Sequence, residues 1–216
     1  MTRRIPRLLL TPLLTLLAAL GLVVAGSQTS LAATTKYVSP GDDLVAAIKT
    51  LKPGDTLVLR NGTYPAADRK IPPVRGTASA PITIRAENPR GATIIGHTQF
   101  TDPDYVHIKN LRFTNPNGVG SKRIAVIIGG TGWLFEGNEV FGGSYSGLLV
   151  GKSTTYGAVH QYTIRGNWIH DVGSSNLYHN PGPDSTRGLI ERNVFSGAGG
   201  NGSNAKLGWG GSGGCT

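Results

Sequence analysis

Four stretches of this chain are versions of one unit. Residues 106–113, 134–141, 163–170 and 189–195 each run apolar strand, polar pair, asparagine, second short strand. The four asparagines, Asn110, Asn138, Asn167 and Asn193, stand 28, 29 and 26 residues apart. Self-similarity at such a period marks a solenoid, in which each copy is one coil and covers its apolar side only against its neighbours. The coil itself is β. Short runs at 56–59, 82–85, 92–95, 105–108, 124–128, 133–135, 147–150 and 162–164 are bounded by Gly, Asn, Asp or Pro, as strands between tight turns are. A second register, 125–128, 147–150, 176–179 and 204–207, follows the asparagine unit at the same period and reads as the next strand of successive rungs. Glycine is the commonest residue, 32 of 216, but has no three-residue period, which excludes collagen. These features together predict an all-β chain: a right-handed parallel β-helix.

The asparagine has a physical reason. A rung turns sharply between strands, and Asn tolerates the left-handed backbone while its amide bonds to nearby backbone groups. Rungs stacked about 4.8 Å apart bring like residues into line, so the four asparagines are expected to form one ladder of side-chain hydrogen bonds at one corner. Glu136, Arg165 and Glu191 share the register two residues earlier and read as an alternating charge ladder.

Residues 1–33 stand apart from this pattern. Arg3, Arg4 and Arg7 precede an apolar run over 8–25, and Ser30-Leu31-Ala32 offers small residues at the positions a signal peptidase reads. That order is a secretory signal peptide. The run is near the minimum of about 17 residues for a membrane span, yet Pro12 and the small-residue exit favour cleavage over a retained anchor. Arg3-Arg4 resembles a twin-arginine signal only weakly, because Pro6 sits where a bulky apolar residue belongs. Residues 34–216 then form the β-helix domain, with no stable membrane span after cleavage, and the protein is expected outside the cell. The formal charge of +9 falls to +6 without the three arginines, a moderate basic excess that suits an acidic polymer. Nucleic acid is not an expected partner, since the basic residues are scattered. Cys215 is the only cysteine, so export permits no disulfide within this chain.

Within 42–51, Leu44, Val45, Ile48 and Leu51 fall on one helical face, with Asp42 as the expected N-cap and Lys52-Pro53-Gly54 as the stop. A short helix before the first rung is the cap that an open solenoid end requires. Tyr37-Val38-Ser39, this helix, Pro53-Gly54-Asp55-Thr56 and Asn61-Gly62-Thr63-Tyr64 resemble the opening of the right-handed parallel β-helix, pectate-lyase-like superfamily, and residues 81–84 and 91–95 continue the likeness. The resemblance runs from residue 36 to about 210. It implies a secreted protein acting on uronate-rich polysaccharide, a substrate groove outside the strands at 147–150, 176–179 and 204–207, a Lys or Arg base and often Ca²⁺. It fixes fold more firmly than activity.

A uronate lyase needs a base for the proton beside the carboxylate and a cation for the charge that develops. The groove-side candidates are Lys206, Tyr178 and His179, with Asp171 as an acid or ligand and His170, Asp184 and Arg187 as substrate contacts on nearby loops. Each has a bland alternative: a solvated lysine, an inward histidine, a loop-capping aspartate. Asp171 departs from its register, where the other copies carry Thr114, Gly142 and Gly197, and His170 is set level with Phe113 and Phe141. Asp102 and Asp104 fall short of the roughly 6–8 oxygen ligands calcium takes. No Gly-His-Gly, no paired Asp-Asp of the polygalacturonase type and no Arg-x-Pro-x-x-Arg signature of the pectate-lyase kind occurs, which favours a lyase over a two-carboxylate hydrolase without supplying an active site by family correspondence. Three readings stay open: a uronate-directed polysaccharide lyase, a noncatalytic carbohydrate-binding β-helix, and an inactive truncated relative. The glycine-rich end at 208–216, with no cap for the last rung, raises the expectation of further rungs beyond residue 216.

Overall fold

The computed structural model describes residues 32–199 and 202–207. The basic and apolar parts of the export segment lie outside the described residues, as do residues 208–216 with Cys215. Among the described residues, no helix is long and apolar enough to cross a membrane.

Strand β1 (Thr35–Val38) and helix α1 (Leu44–Lys49) precede six rungs of three strands each. The first rung is β2 (Thr56–Leu59), β3 (Gly62–Tyr64) and β4 (Arg69–Ile71); the second is β5 (Ile82–Ala86), β6 (Ala92–Ile95) and β7 (Thr98–Thr101). The third is β8 (Val106–Lys109), β9 (Arg112–Asn115) and β10 (Ala125–Ile128); the fourth is β11 (Leu134–Glu136), β12 (Glu139–Gly143) and β13 (Ser146–Gly151). The fifth is β14 (Thr163–Arg165), β15 (Trp168–Val172) and β16 (Ser175–Asn180); the sixth is β17 (Leu189–Glu191), β18 (Val194–Ser196) and β19 (Ser203–Leu207). The first strands of the rungs, with β1, make parallel sheet A, the second strands sheet B and the third strands sheet C. This is the predicted parallel β-helix, with one short capping helix.

The interior is built from columns of residues in register. Leu57, Ile84, Ile108, Phe135 and Ile164 point inward from sheet A, and Tyr64, Ile94, Phe113, Val140 and Ile169 from sheet B. Strand alternation sends their neighbours to the outer faces. Helix α1 buries Leu44 and Ile48 in the same core. Its N-cap is Asp43, which accepts from Ala46 N–H at 2.9 Å, while the expected cap, Asp42, accepts instead from Ser39 N–H at 2.7 Å.

The asparagine ladder forms with one member changed. Leu111 N–H donates to Asn138 Oδ1 (2.9 Å), Asn138 N–H to Asn167 Oδ1 (2.9 Å) and Asn167 N–H to Asn193 Oδ1 (3.0 Å). Each amide Nδ2 reaches back to a carbonyl of the preceding rung: Ile108, Phe135 and Ile164 in turn, each at 2.9 Å. Asn110 is not a rung of it. It lies one position earlier, level with Gly137, Gly166 and Arg192, and these four carry the left-handed backbone (φ of 59°, 66°, 62° and 54°). The left-handed turn and the ladder amide are thus adjacent residues, and only in the third rung does asparagine take the turn position while Leu111 takes the ladder position. Outside this corner Lys109, Glu136, Arg165 and Glu191 stand in register, with Glu136 bridged to Lys109 (2.7 Å) and Arg165 (2.6 Å). Hydrogen bonding from Lys109, and more weakly from Arg165, outweighs burial and holds the Glu136 carboxyl below its ordinary range.

Candidate functional site

Sheet C presents an outward column of Lys70, Gln99, Val126, Leu149, Tyr178 and Lys206, one residue per rung. A parallel sheet coiled this way gives an extended face along the solenoid axis; its outward column is polar at both ends, Lys70 and Gln99 at one and Tyr178 and Lys206 at the other, with Val126 buried between them. Lys206 is exposed on β19, and its Nζ stands 5.3 Å from the Tyr178 ring centroid, a cation–π contact. Asn180 adds an exposed amide to the adjacent outward column. The expectation that Tyr178 and Lys206 share a face therefore matches their placement. Asp184 lines a cavity of about 390 Å³ with Lys152 and Ser153, formed by the loops that leave β13 and β16. Arg187 is exposed in the second of these loops with φ at +52°.

The remaining candidates stand elsewhere. His179 points inward, 3% exposed, and its Nε2 is hydrogen-bonded to the hydroxyl of Tyr162, which in turn stacks on Trp133. Burial pushes the imidazole down to about 4 and the phenol up to about 12, so a neutral ring accepts from a protonated hydroxyl. His179 is an interior residue beneath the face, not a group on it.

His170 and Asp171 belong to the outer face of sheet B. Register pairs His170 with Phe141 and Thr114, whereas Phe113 pairs with Val140 inside the core. His170 is buried on the outside of the sheet by its neighbours: it stacks on Trp168 at 3.8 Å and on Phe141 at 5.7 Å. Its Nδ1 lies 2.7 Å from Asp171 and its Nε2 3.3 Å from Glu139, which also takes both Arg112 contacts, at 3.0 and 3.3 Å. Asp171 has φ of +51° at the corner position that Gly142 (64°) and Gly197 (62°) fill in neighbouring rungs. Its departure from the glycine register is met by the tolerance of aspartate for the left-handed region. The structure therefore brings Tyr178 and Lys206 together and leaves Asp171 on another sheet.

For calcium the fit is poor. Asp102 and Asp104 both pair with Arg75, and among the described residues no group of three or more His, Cys, Asp or Glu side chains converges. A calcium ion needs a larger set of oxygen ligands.

The family model described as chondroitinase B matches residues 38–147, just over half of the 216-residue chain. The chain belongs to the chondroitinase B family. Two solved structures are similar to this family member. An alginate lyase from Paenibacillus sp. str. FPU-7 is 19% identical, with 78% of this chain and 69% of that one covered and a TM-score of 0.58. A pectate lyase is 17% identical, with 73% and 46% covered and a TM-score of 0.54; the chain spans less than half of that enzyme's length. At these identities the likeness is one of fold, the pectate-lyase-like parallel β-helix. No curated protein matches the chain. Within this chondroitinase B family chain the matched stretch runs from the end of β1 into β13. Tyr178, Lys206, His170 and Asp171 all follow it. Sequence reasoning did not single out Lys152, which comes beside Asp184 only once the loops after β13 and β16 fold next to each other.

Proposed function

We propose that this chain is a secreted β-helix protein that acts on acidic, uronate-containing polysaccharide by β-elimination along the outer face of sheet C. The observation that carries the reading is the pairing of a phenol and an ammonium, Tyr178 and Lys206, on the outer face of a parallel sheet of a chondroitinase B family chain. The two similar solved structures act on alginate and pectate, and these polymers and the chondroitin of the family name all carry uronates. Export is supported by the basic, apolar and small-residue order of residues 1–33.

The chemistry asked of the pair is compact. One group accepts the proton from the sugar carbon beside the carboxylate; the electrons of that C–H bond form a double bond to the neighbouring carbon. The glycosidic C–O bond at that neighbour breaks, and its oxygen leaves with a proton. A positive group beside the carboxylate stabilises the charge built up on the way. The Tyr178 oxygen accepts the proton and passes it to the leaving oxygen, with the Lys206 ammonium as the positive group; with a Lys206 amine as the acceptor, the same proton is returned and the resulting ammonium is the positive group.

The test is ultraviolet absorbance of unsaturated products from alginate, pectate and glycosaminoglycan. Absorbance is expected on at least one of them, lost in Lys206→Ala or Tyr178→Phe without loss of fold. Absence of product on every uronate polymer overturns the reading. A second reading is noncatalytic glycan binding at the same outer column. Binding without product is its signature.

A further inference from the structure

Sheet C has a second flank, where strands of sheet B hand the chain to it. Between β9 and β10 that hand-over is a loop over 116–124, the longest at this corner. One side chain organises it. Asn115 is completely buried, its Nδ2 donates to the carbonyls of Val119 (3.2 Å), Ser121 (2.6 Å) and Arg123 (3.1 Å), and its Oδ1 accepts from Val119 N–H (2.9 Å). Four contacts from one buried amide fix the loop from within, so its outer residues are held in place before any ligand arrives.

Those outer residues are Lys122 and Arg123, both exposed. Neither forms an ion pair among the described residues. One rung on, the two-residue hand-over from β12 to β13 places Tyr145 beside them, 42% exposed, with the Arg123 guanidinium 5.8 Å from its ring. Together with Ser121 these residues line an open cavity of about 270 Å³ at the strand-entry side of the sheet C face. A hydroxyl, an ammonium, a guanidinium and an aromatic face, with no carboxylate among them, match a sugar ring bearing one negative group.

We propose that the Lys122–Arg123–Tyr145 cavity is an anion-reading glycan subsite: Tyr145 takes the sugar face, and Lys122 with Arg123 takes a carboxylate or sulfate ester on that ring. The inference rests on the proposed action on acidic polysaccharide and names the residues that select for charge. All three lie within the stretch matched by the family model.

The test is calorimetric titration of the full chain with a polyuronate, a sulfated glycosaminoglycan and neutral dextran, with unsaturated product measured on the same samples. The wild type binds the anionic polymers and not dextran. Lys122→Gln/Arg123→Gln weakens that binding by about tenfold or more at unchanged thermal midpoint, because two charge-assisted contacts are lost. Lys122→Arg/Arg123→Lys, which keeps both charges, retains most of it. A loss confined to the sulfated polymer assigns the group as a sulfate ester, and a loss on both assigns a carboxylate. Equal affinity in wild type and the Gln pair overturns the subsite while leaving the elimination reading standing. Binding that depends on the pair but yields no unsaturated product does the reverse, and no binding to either anionic polymer overturns both.

Discussion

The corner between sheets A and B and the corner between sheets B and C are built on opposite plans. From the third rung onward the first is always two residues long, at 110–111, 137–138, 166–167 and 192–193, with a left-handed residue followed by the ladder position. At the second corner the same rungs use nine residues, two, two and six. The uniform corner spends its polar side chains on its own stack: every ladder amide bonds to the rung before it, and Asn138 and Asn167 also bond to the rung after. The irregular corner leaves Lys122, Arg123 and Tyr145 facing outward. A solenoid is obliged to repeat wherever rungs contact one another, and it is free to vary only where a loop leaves the stack. Side chains available to a ligand are therefore concentrated at the corner where the repeat fails.

If that contrast is right, mutations at the two corners differ in kind. The largest effect belongs to the uniform corner. Asn167→Ala strands the buried Asn138 N–H and Phe135 carbonyl and cuts the link to Asn193, and a loss of about 4 kcal/mol in chemical denaturation is expected from several buried bonds and their unsatisfied partners. A loss under about 1 kcal/mol shows that the ladder only decorates the turn.

The third corner, from sheet C back to sheet A, is intermediate: its loops over 152–162 and 181–188 are long but rooted on buried Tyr162 and His179. Because burial depresses His179 to about 4 from an ordinary 6.5, the unfolded chain binds the extra proton between those values. The stabilisation is whole above about pH 6.5 and is lost as pH falls towards 4, amounting to about 3 kcal/mol. Denaturation at pH 7 and pH 4 measures it, and His179→Leu should flatten the dependence; an equally acid-sensitive variant places the proton uptake elsewhere.

Asn115→Ala probes the irregular corner from beneath. It removes four contacts to one loop, so about 2 kcal/mol of stability is expected to go, together with most of the anionic glycan binding. Proteolysis within 116–123 is the direct readout, and an unchanged cleavage rate argues against preorganisation. The smallest stability effect is that of Lys122→Gln/Arg123→Gln, expected within about 0.5 kcal/mol of wild type because both side chains are exposed. A larger loss makes the pair structural and blurs the distinction between the corners.

The architecture was legible because rung contacts force repetition, and repetition is what a sequence displays most openly. The errors arose where residue type and residue position part company. Asn110 looks like Asn138, yet Asn and Gly are interchangeable at a left-handed turn, and counting from strand ends, rather than matching letters, sets it level with Gly137. A similar one-residue slip set His170 level with the inward Phe113 as well as with its true partner Phe141, which faces out. That Tyr178 and Lys206 share a column was readable because their strands are copies of each other. Lys122 and Arg123 were not, because what joins them to Tyr145 is a contact between rungs made by a loop that no other rung contains.

The alternating charges outside sheet A carry a consequence for how such a chain can grow. Lys109, Glu136, Arg165 and Glu191 follow one another as plus, minus, plus, minus. Excising the single rung that bears Glu136 sets Lys109 directly against Arg165, and inserting a copy of it sets two glutamates face to face; like charges so placed are unfavourable by up to about 1 kcal/mol. Gain or loss of two rungs at a time restores the alternation. From the third rung onward the column thus favours internal duplication in even steps over odd ones; one rung earlier Arg85 already stands level with Lys109, so the rule does not reach the first rungs.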